Sequence, residues 1–357
     1  MEQINDNIQM LDLIAQAAFC VKDGIIIRVN EAARKRTVTE GMTVSTILAT
    51  GAQEYDQFTG GCLYLTLTLG DVPCGASVTR MNDWDVFLLE QNDDMAQLQA
   101  MALAAQELRG PLTSVMTVAD RLFPLPHTEN GPDTQEQVAR INRGLFQMQR
   151  IICNMSDAYR YCLDVHAQME TQNICALLDE IFRKAEHLIS HAGMTLRYCG
   201  PNDPVLCLVD AEKLERAVHN ILSNAVKFAP KGSTIEAKLT RKDNMLSLTV
   251  QDGSDGIDRN IRSNIYTRFR REPGLEDSRF GLGLGMVLIR SAATVHGGTV
   301  LMEQTAEHGN RLTMTIAIRQ NSQSMVRTPV FRVDYASERD HSLLELSDCL
   351  PASLYNK

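Results

Sequence analysis

The chain has 357 residues, 44% hydrophobic and 22% charged, with 44 acidic against 35 basic side chains and a formal charge of −9 at pH 7. That length supports two or three modules with cores of their own, and the negative balance argues against a nonspecific nucleic-acid binder. No run approaches the ~18 consecutive apolar residues of a membrane span. The N-terminal "MEQINDNIQM" lacks the basic-then-apolar order of a signal peptide, and nine scattered cysteines without a CxxC read as small buried side chains in a reducing cytoplasm.

Residues 8–90 read as a small α+β module. "FCVKDGIIIRVNEAARKR" gives a strand, a DG turn, a second strand and a helix from about Asn30. "CLYLTLTLG", "GASVTRM" and "WDVFLLE" are three further strands, the first rich in β-branched and aromatic side chains.

From Gln91 the period changes. Leu98, Met101, Ala105, Leu108, Leu112, Val115, Ala119 and Leu122 alternate spacings of three and four, and Val138, Ile141, Leu145, Met148, Ile152, Met155, Tyr159 and Cys162 repeat them. The turn-like "FPLPHTENGPD" lies between them, so residues 91–168 form an antiparallel helical hairpin. Two copies closing a four-helix bundle would complete the apolar seam, whereas a hairpin packed on its own flanking modules is the alternative.

Residues 171–320 alternate helix and strand. "NICALLDEIFRKAEHLISHAG" and "AEKLERAVHNILSNAVKFAP" are helices, "MTLRYCG" and "PVLCLVD" short strands, and "STIEAKLTRKDNMLSLTVQDGS" a hairpin turning near Lys242–Asn244. "GLGLGMVLIRSAATVHGG" runs from glycines into a helix, and "TVLMEQTAEHGNRLTMTIAI" is a last hairpin. The pattern predicts an α/β sandwich, a mixed sheet with helices on one face. The 321–357 tail holds a possible strand, "TPVFRVDY", and an apolar "LLELSDCL". It has no core of its own, so it is expected either to pack on another module or to be partly disordered.

Three stretches of the 171–320 module can carry chemistry. Asn220 and Asn224 lie four apart on one helix face, with Lys227 three further on. Asparagine is a middling helix former, so two in mid-helix ask for a reason. An amide oxygen on hydrated Mg2+ with a lysine near phosphate is one, and a solvated face is the other. Asp252 ends a strand before Gly253 and Gly256, where a carboxylate can accept a base amino group and glycines let backbone approach a ring. Glycines 281, 283 and 285 precede an apolar helix whose first amides can bind phosphate, though no GKS/T makes it a P-loop.

Taken in this order, the module resembles the GHKL-type ATP-binding domain of sensor histidine kinases, within the larger group that includes Hsp90, gyrase B and MutL. "HNILSNAVKFAP" is similar to the family's asparagine box, "DGSDGI" to its first glycine box, "IYTRFRR" to its phenylalanine box, and "FGLGLGMVLI" with "HGG" to its second glycine box. The resemblance implies that Asn224 holds Mg2+, that Asn220 and Lys227 sit by the phosphates, and that Asp252 takes the adenine amino group. It also implies that Gly256 floors the base and that Gly281 and Gly283 shape the phosphate lid. The hairpin resembles the family's dimerisation and phosphoacceptor domain, and residues 8–90 a PAS sensor module, chiefly through "DGIIIRVNEAA". The whole is expected to be a multidomain α+β chain forming homodimers or heterodimers through residues 91–168, with a response regulator as partner.

The family pattern is broken at its phosphoacceptor. Where it reads His-Glu-Leu-Arg-Thr/Asn-Pro-Leu, this chain has Gln106, Glu107, Leu108, Arg109, Gly110, Pro111 and Leu112. An imidazole nitrogen can carry phosphate as a phosphoramidate, but the nitrogen lone pair of an amide is delocalised. Glu107, the family's base, is left with no imidazole to orient. Gly110 has no side chain to align water for dephosphorylating a regulator. His127 in the turn and His166 at the far end of the second helix do not substitute. Ser254 and Arg279 stand where the family has glycines. Pro111 lacks an amide hydrogen and predicts a bend about one turn beyond Gln106. These residues predict a histidine-kinase-like protein that binds Mg·ATP but has lost autokinase and phosphatase chemistry. A kinase acting on a partner's histidine or hydroxyl, and a nucleotide-independent scaffold, are the alternatives.

Overall fold

A computed structural model describes Leu11 and residues 14–81, 83–90, 93–122, 132–162, 167–254, 283–305, 309–319 and 340–356. In the N-terminal part, strands β1 (Ala18–Lys22) and β2 (Ile25–Val29) are followed by helices α1 (Glu31–Arg34) and α2 (Ala52–Asp56). Strands β3 (Cys62–Leu69), β4 (Val72–Met81) and β5 (Trp84–Leu89) complete it. Asp23 and Gly24, both at positive φ, form the two-residue turn between β1 and β2, the geometry that suits strand twist. Asn30 explains the "VNEAA" stretch. Its Oδ1 accepts from the amides of Ala18 and Ala33, capping α1, and its Nδ2 donates to the carbonyls of Ile14 and Gln16.

Two long helices follow, α3 (Asp93–Leu122) and α4 (Pro132–Cys162). Pro111 lies inside α3, which is assigned as helix on both sides of it. Its missing donor leaves the carbonyl of residue 107 unserved. Nearby hydroxyls bond back along the helix, Thr113 to the Arg109 carbonyl and Ser114 to that of Gly110. The apolar positions divide between two faces. Leu98, Ala105, Met116, Ala119, Val138, Leu145 and Ile152 are buried, whereas Leu108, Val115, Ile141 and Met148 are exposed. The sequence placed all of them except Met116 on one seam. A single hairpin can bury only one side of each helix, so the other apolar flank is left open.

The C-terminal half contains β6 (Glu170–Asn173), α5 (Ile174–His191), β7 (Thr195–Cys199), β8 (Leu206–Val209) and α6 (Ala211–Phe228). Strands β9 (Thr234–Lys242) and β10 (Met245–Gln251), helix α7 (Leu284–Val295), and strands β11 (Val300–Gln304) and β12 (Asn310–Ala317) follow. Helices α5 and α6 bury their apolar faces on the sheet, with Ile181, Phe182, Leu214, Val218 and Leu222 against Leu239, Leu248 and Met314 in one core. The short α8 (His341–Glu345) and a 3-10 turn at Ala352–Tyr355 belong to the tail.

Ten strands form a single sheet in the order β2-β1-β5-β4-β3-β11-β12-β10-β9-β7, antiparallel throughout except for β7 beside β9. The join is β3 to β11, where Val300, Leu301 and Met302 pair with Tyr64, Leu63 and Cys62. The alternation of each strand gave no sign of this edge-to-edge pairing. It continues the backbone hydrogen bonding of the N-terminal part into that of the C-terminal part and leaves neither edge open there. No helix among the described residues is long and apolar enough to cross a membrane. Cys20, Cys62, Cys153, Cys175 and Cys207 are buried free thiols.

Candidate functional site

Helix α6 carries the asparagines. Asp210 caps it by accepting from the Lys213 amide at 3.0 Å, and the apolar face fixes its rotation on the sheet. Its other face, Arg216, His219, Asn220, Ser223 and Lys227, therefore turns away from the sheet, and all but Lys227 are buried. Burying such a face requires partners for each group. They come from α4 and from the tail.

Arg216 donates through Nε to Glu345 Oε1 at 3.0 Å and through Nη2 to Asn154 Oδ1 at 2.7 Å, and also pairs with Asp157. Arg150 of α4 meets Glu345 Oε2 at 3.3 Å and pairs with Asp348. Its Nη2 reaches Asn220 Oδ1 at 3.4 Å and Ser223 Oγ at 3.3 Å. Lys227 Nζ donates to Asp348 Oδ2 at 2.7 Å. Four cations and three carboxylates are thus linked in one chain, with the exposed Arg160 at its far end on Asp157 at 3.4 Å. Burial alone would raise the Asp348 carboxyl, but Arg150 and Lys227 outweigh it and hold the group below the usual carboxylate range.

The two asparagines differ in what they can hold. Asn220 is pinned, its Nδ2 donating to the Arg216 carbonyl while its Oδ1 faces the Arg150 guanidinium. Asn224 is half-buried and, among the described residues, makes a long contact from Nδ2 to Met286 Sδ at 4.0 Å. Its amide oxygen is therefore the better placed of the two to meet a cation, whereas that of Asn220 already faces a positive charge.

Asp252 follows β10. Its Oδ1 accepts from the Ser254 amide at 3.0 Å, the Ser254 hydroxyl at 2.6 Å and the Asn310 amide at 3.0 Å. Asn310 Nδ2 in turn donates to Ser254 Oγ at 2.7 Å. One carboxylate oxygen is saturated and the plane of the group is fixed, while Oδ2 takes no part in these bonds. Ser254, which departs from the family's glycine, thereby orients the neighbouring aspartate.

Gly283 sits in the left-handed region at φ +72° immediately before α7, a conformation that glycine adopts without strain. Two residues on, Gly285 packs so closely against α6 that a Cβ there would lie 3.0 Å from Asn220 Oδ1. The "HGG" turn ends α7. His296 donates from Nδ1 to the Ala292 carbonyl and accepts at Nε2 from the Asp210 amide at 3.0 Å, tying α7 to the start of α6. Gly256, Gly281, Arg279 and the phenylalanine-box residues 265–271 lie outside the described residues, as do His127 and His166.

Gln106, Glu107 and Gly110 are all exposed on α3, and a side chain built on Gly110 would meet nothing within 4 Å. One turn apart, they share an open surface. The structure thus brings Asn220 and Lys227 into one polar face and sets Gln106, Glu107 and Gly110 on a separate exposed patch. Sequence reading missed Arg150, Glu345 and Asp348. Arg216 and Ser223 had a signal, since both share the helical face of Asn220. Nothing local marks the tail acids, which lie 121 or more positions from their cationic partners on α6.

Residues 209–320 match the model of the histidine kinase-, DNA gyrase B-, and HSP90-like ATPase domain. The chain is 27% identical over 270 residues to the hybrid signal transduction histidine kinase D of Dictyostelium discoideum, covering 70% of this chain and only 17% of that protein. It is 24% identical over 266 residues to the adaptive-response sensory kinase SasA of Synechocystis sp., covering 70% of this chain and 68% of that one. Among solved structures, full-length ShkA in complex with AMPPNP superposes with a TM-score of 0.51 at 18% identity, over 62% of this chain and 47% of that chain, a likeness of fold. The order of helix, strand and glycine elements agrees with these matches: residues 209–320 form a histidine kinase-, DNA gyrase B-, and HSP90-like ATPase domain, and the chain is similar to sensor histidine kinases over 70% of its length.

Proposed function

We propose that this is a histidine-kinase-like signalling protein that binds Mg·ATP and does not phosphorylate itself. Residues 8–90 would serve as a PAS-like sensor, 91–168 as the dimerising hairpin and 171–320 as the nucleotide-binding domain. The residues fit the nucleotide. Asp252 has an oriented carboxylate with Oδ2 left for an amino group, Asn224 offers an amide oxygen for Mg2+, and Lys227 offers a cation for phosphate. Bound ATP would supply a γ-phosphoryl group at the α6 face. The chain itself provides no acceptor at the position where the family's histidine stands.

The observation that carries this reading is the exposed pair Gln106 and Gly110, open to solvent with no imidazole and no hydroxyl or amide side chain at the second position. An amide nitrogen does not attack phosphorus at a useful rate, and Glu107 has no nucleophile to activate. Signalling would then run by conformational coupling, or by binding a response regulator or a partner kinase. The uncovered flank of Leu108, Val115, Ile141 and Met148 supports a dimer through the hairpin, as a homodimer or heterodimer. A cytoplasmic location agrees with the buried free thiols.

Incubation with labelled ATP is expected to leave no acid-labile phosphate on the protein, while calorimetric titration detects Mg·ADP binding. Acid-labile label that disappears on substituting one histidine overturns the loss of autokinase activity. Turnover with transfer to a partner's histidine or hydroxyl would replace this reading with an active kinase. Absence of any nucleotide binding would leave a scaffold of the same fold.

A further inference from the structure

The tail is the part of the chain that the family resemblance does not cover, and it lies against the polar face of α6. Its docking is specific. Leu344, Leu346, Leu350 and Tyr355 are buried, and Tyr355 packs edge-on to Phe146 of α4 with ring centroids 5.1 Å apart. Arg143 donates to the carbonyls of Ser347 and Asp348, both at 3.1 Å, and Asn142 Nδ2 donates to that of Tyr355 at 3.0 Å. The backbone at Asp348 is thereby held in place, and its side chain projects to Lys227 on one side and Arg150 on the other.

We infer that Asp348 is the resident anion of the phosphate end of the nucleotide site, a carboxylate that a nucleotide phosphate must displace from Lys227 and Arg150. The inference rests on the nucleotide-binding reading above. A carboxylate and a phosphate both present oxyanions to ammonium and guanidinium donors, and each wants the same hydrogen bonds. They cannot share Lys227 without bringing like charges within a few ångströms in a half-buried setting. The four groups at this end of the network, Arg150 and Lys227 with Glu345 and Asp348, balance in charge. An incoming polyanion therefore meets a neutralised surface. Without the Asp348 charge the same surface carries one net positive charge, and Arg150, contributed by the hairpin rather than by the ATPase-like domain, becomes a second phosphate ligand. The tail then acts as an internal competitor that sets nucleotide affinity through a single side chain. Its apolar anchors can remain seated while that side chain turns away, because Asp348 is partly exposed whereas Leu346 and Leu350 are not.

The test compares the full-length chain with its Asp348→Asn variant by calorimetric titration of Mg·ADP. The amide keeps size and shape and removes the charge. Affinity is expected to rise about tenfold, and the gain is expected to vanish when Lys227→Ala is added. Equal or weaker binding by Asp348→Asn, with the unaltered chain binding Mg·ADP, overturns the competition and leaves the nucleotide reading standing. No binding by either chain overturns both.

Discussion

Arg290 of α7 lies with Nη1 2.9 Å from Glu90 Oε1, and its guanidinium stacks over the ring of Tyr64 at 4.9 Å. Glu90 directly follows β5 and also accepts from the Tyr64 hydroxyl at 3.1 Å. One ion pair thus joins the helix behind the glycine-rich segment to the residue just past the last N-terminal strand, beside the β3–β11 seam. Arg290 is buried and Glu90 a quarter exposed. Arg290→Ala is expected to cost about 2–3 kcal/mol, below the ~3–5 kcal/mol of a fully buried pair because water reaches Glu90. Urea unfolding measures it, and a cost under ~0.5 kcal/mol would mean the pair does not fasten the two parts.

Gly110 is in mid-helix, exposed, and a Cβ there has open space. Gly110→Ala is expected to stabilise the protein by about 0.5–1 kcal/mol, because it lowers the entropy of the unfolded chain at no steric cost. A loss of stability in thermal or chemical denaturation would show that the glycine answers a conformational demand of the Pro111 turn.

Gln106→His restores the missing imidazole on the same exposed surface beside Glu107. Given Mg·ATP, that variant is expected to gain acid-labile phosphate and Gln106→Ala is not. Failure of Gln106→His to label, with nucleotide still bound, would place a second defect in the approach of the domain to the helix.

Two buried histidines set an acid limit on stability. His219 donates from Nδ1 to the Glu215 carbonyl at 2.9 Å, so its Nε2 accepts from the Ser342 hydroxyl at 2.9 Å. His296 likewise has Nε2 engaged as an acceptor. Burial pushes both below the ordinary 6.5. In the unfolded chain they take up protons as pH falls through about 6.5, and in the folded chain they do not, so stability declines below that pH. The slope reaches about 1.4 kcal/mol per pH unit for each histidine. Burial raises the carboxyls of Glu212 and Glu303, which oppose the trend. Urea melts at pH 7.5 and 5.5, repeated on His219→Gln and His296→Gln, isolate the histidine part. A difference unchanged in both variants refutes it.

Ser254→Ala deletes a bond to Asp252 and the acceptor of Asn310 Nδ2. With Asn310 buried, the expected cost is about 1–3 kcal/mol of stability, together with weaker Mg·ADP binding as Asp252 loses its fixed orientation. Unaltered nucleotide affinity in a folded variant would show that Asp252 is oriented by its remaining amide donors alone.

Much of this was legible in the residues. Alternation and turn dipeptides located β1 to β5, the three-four spacing located both long helices, and the paired asparagines on α6 with Asp252 marked the candidate site, because each depends on neighbours within a few positions. Three features were not legible. The β3–β11 pairing depends on strand edges, which carry no side-chain signature. The split of the hairpin seam depends on which flank meets α7, where Leu284, Val287 and Leu288 pack on Leu98 and Ala158. The tail contacts join residues far apart in the chain, and nothing in "LLELSDCL" names its partner.

The sequence by itself determined the chemical inventory. It has the asparagines, lysine and aspartate of the proposed nucleotide site, and a glutamine and a glycine where the family resemblance expects a phosphoacceptor and its neighbour. Side-chain chemistry is local and survives without a fold. Only the tertiary structure decided how those groups are spent against one another. It set Asp348 on Lys227, Arg150 beside Asn220, and Ser254 under Asp252, because buried charges and amides must find partners wherever the packed chain supplies them.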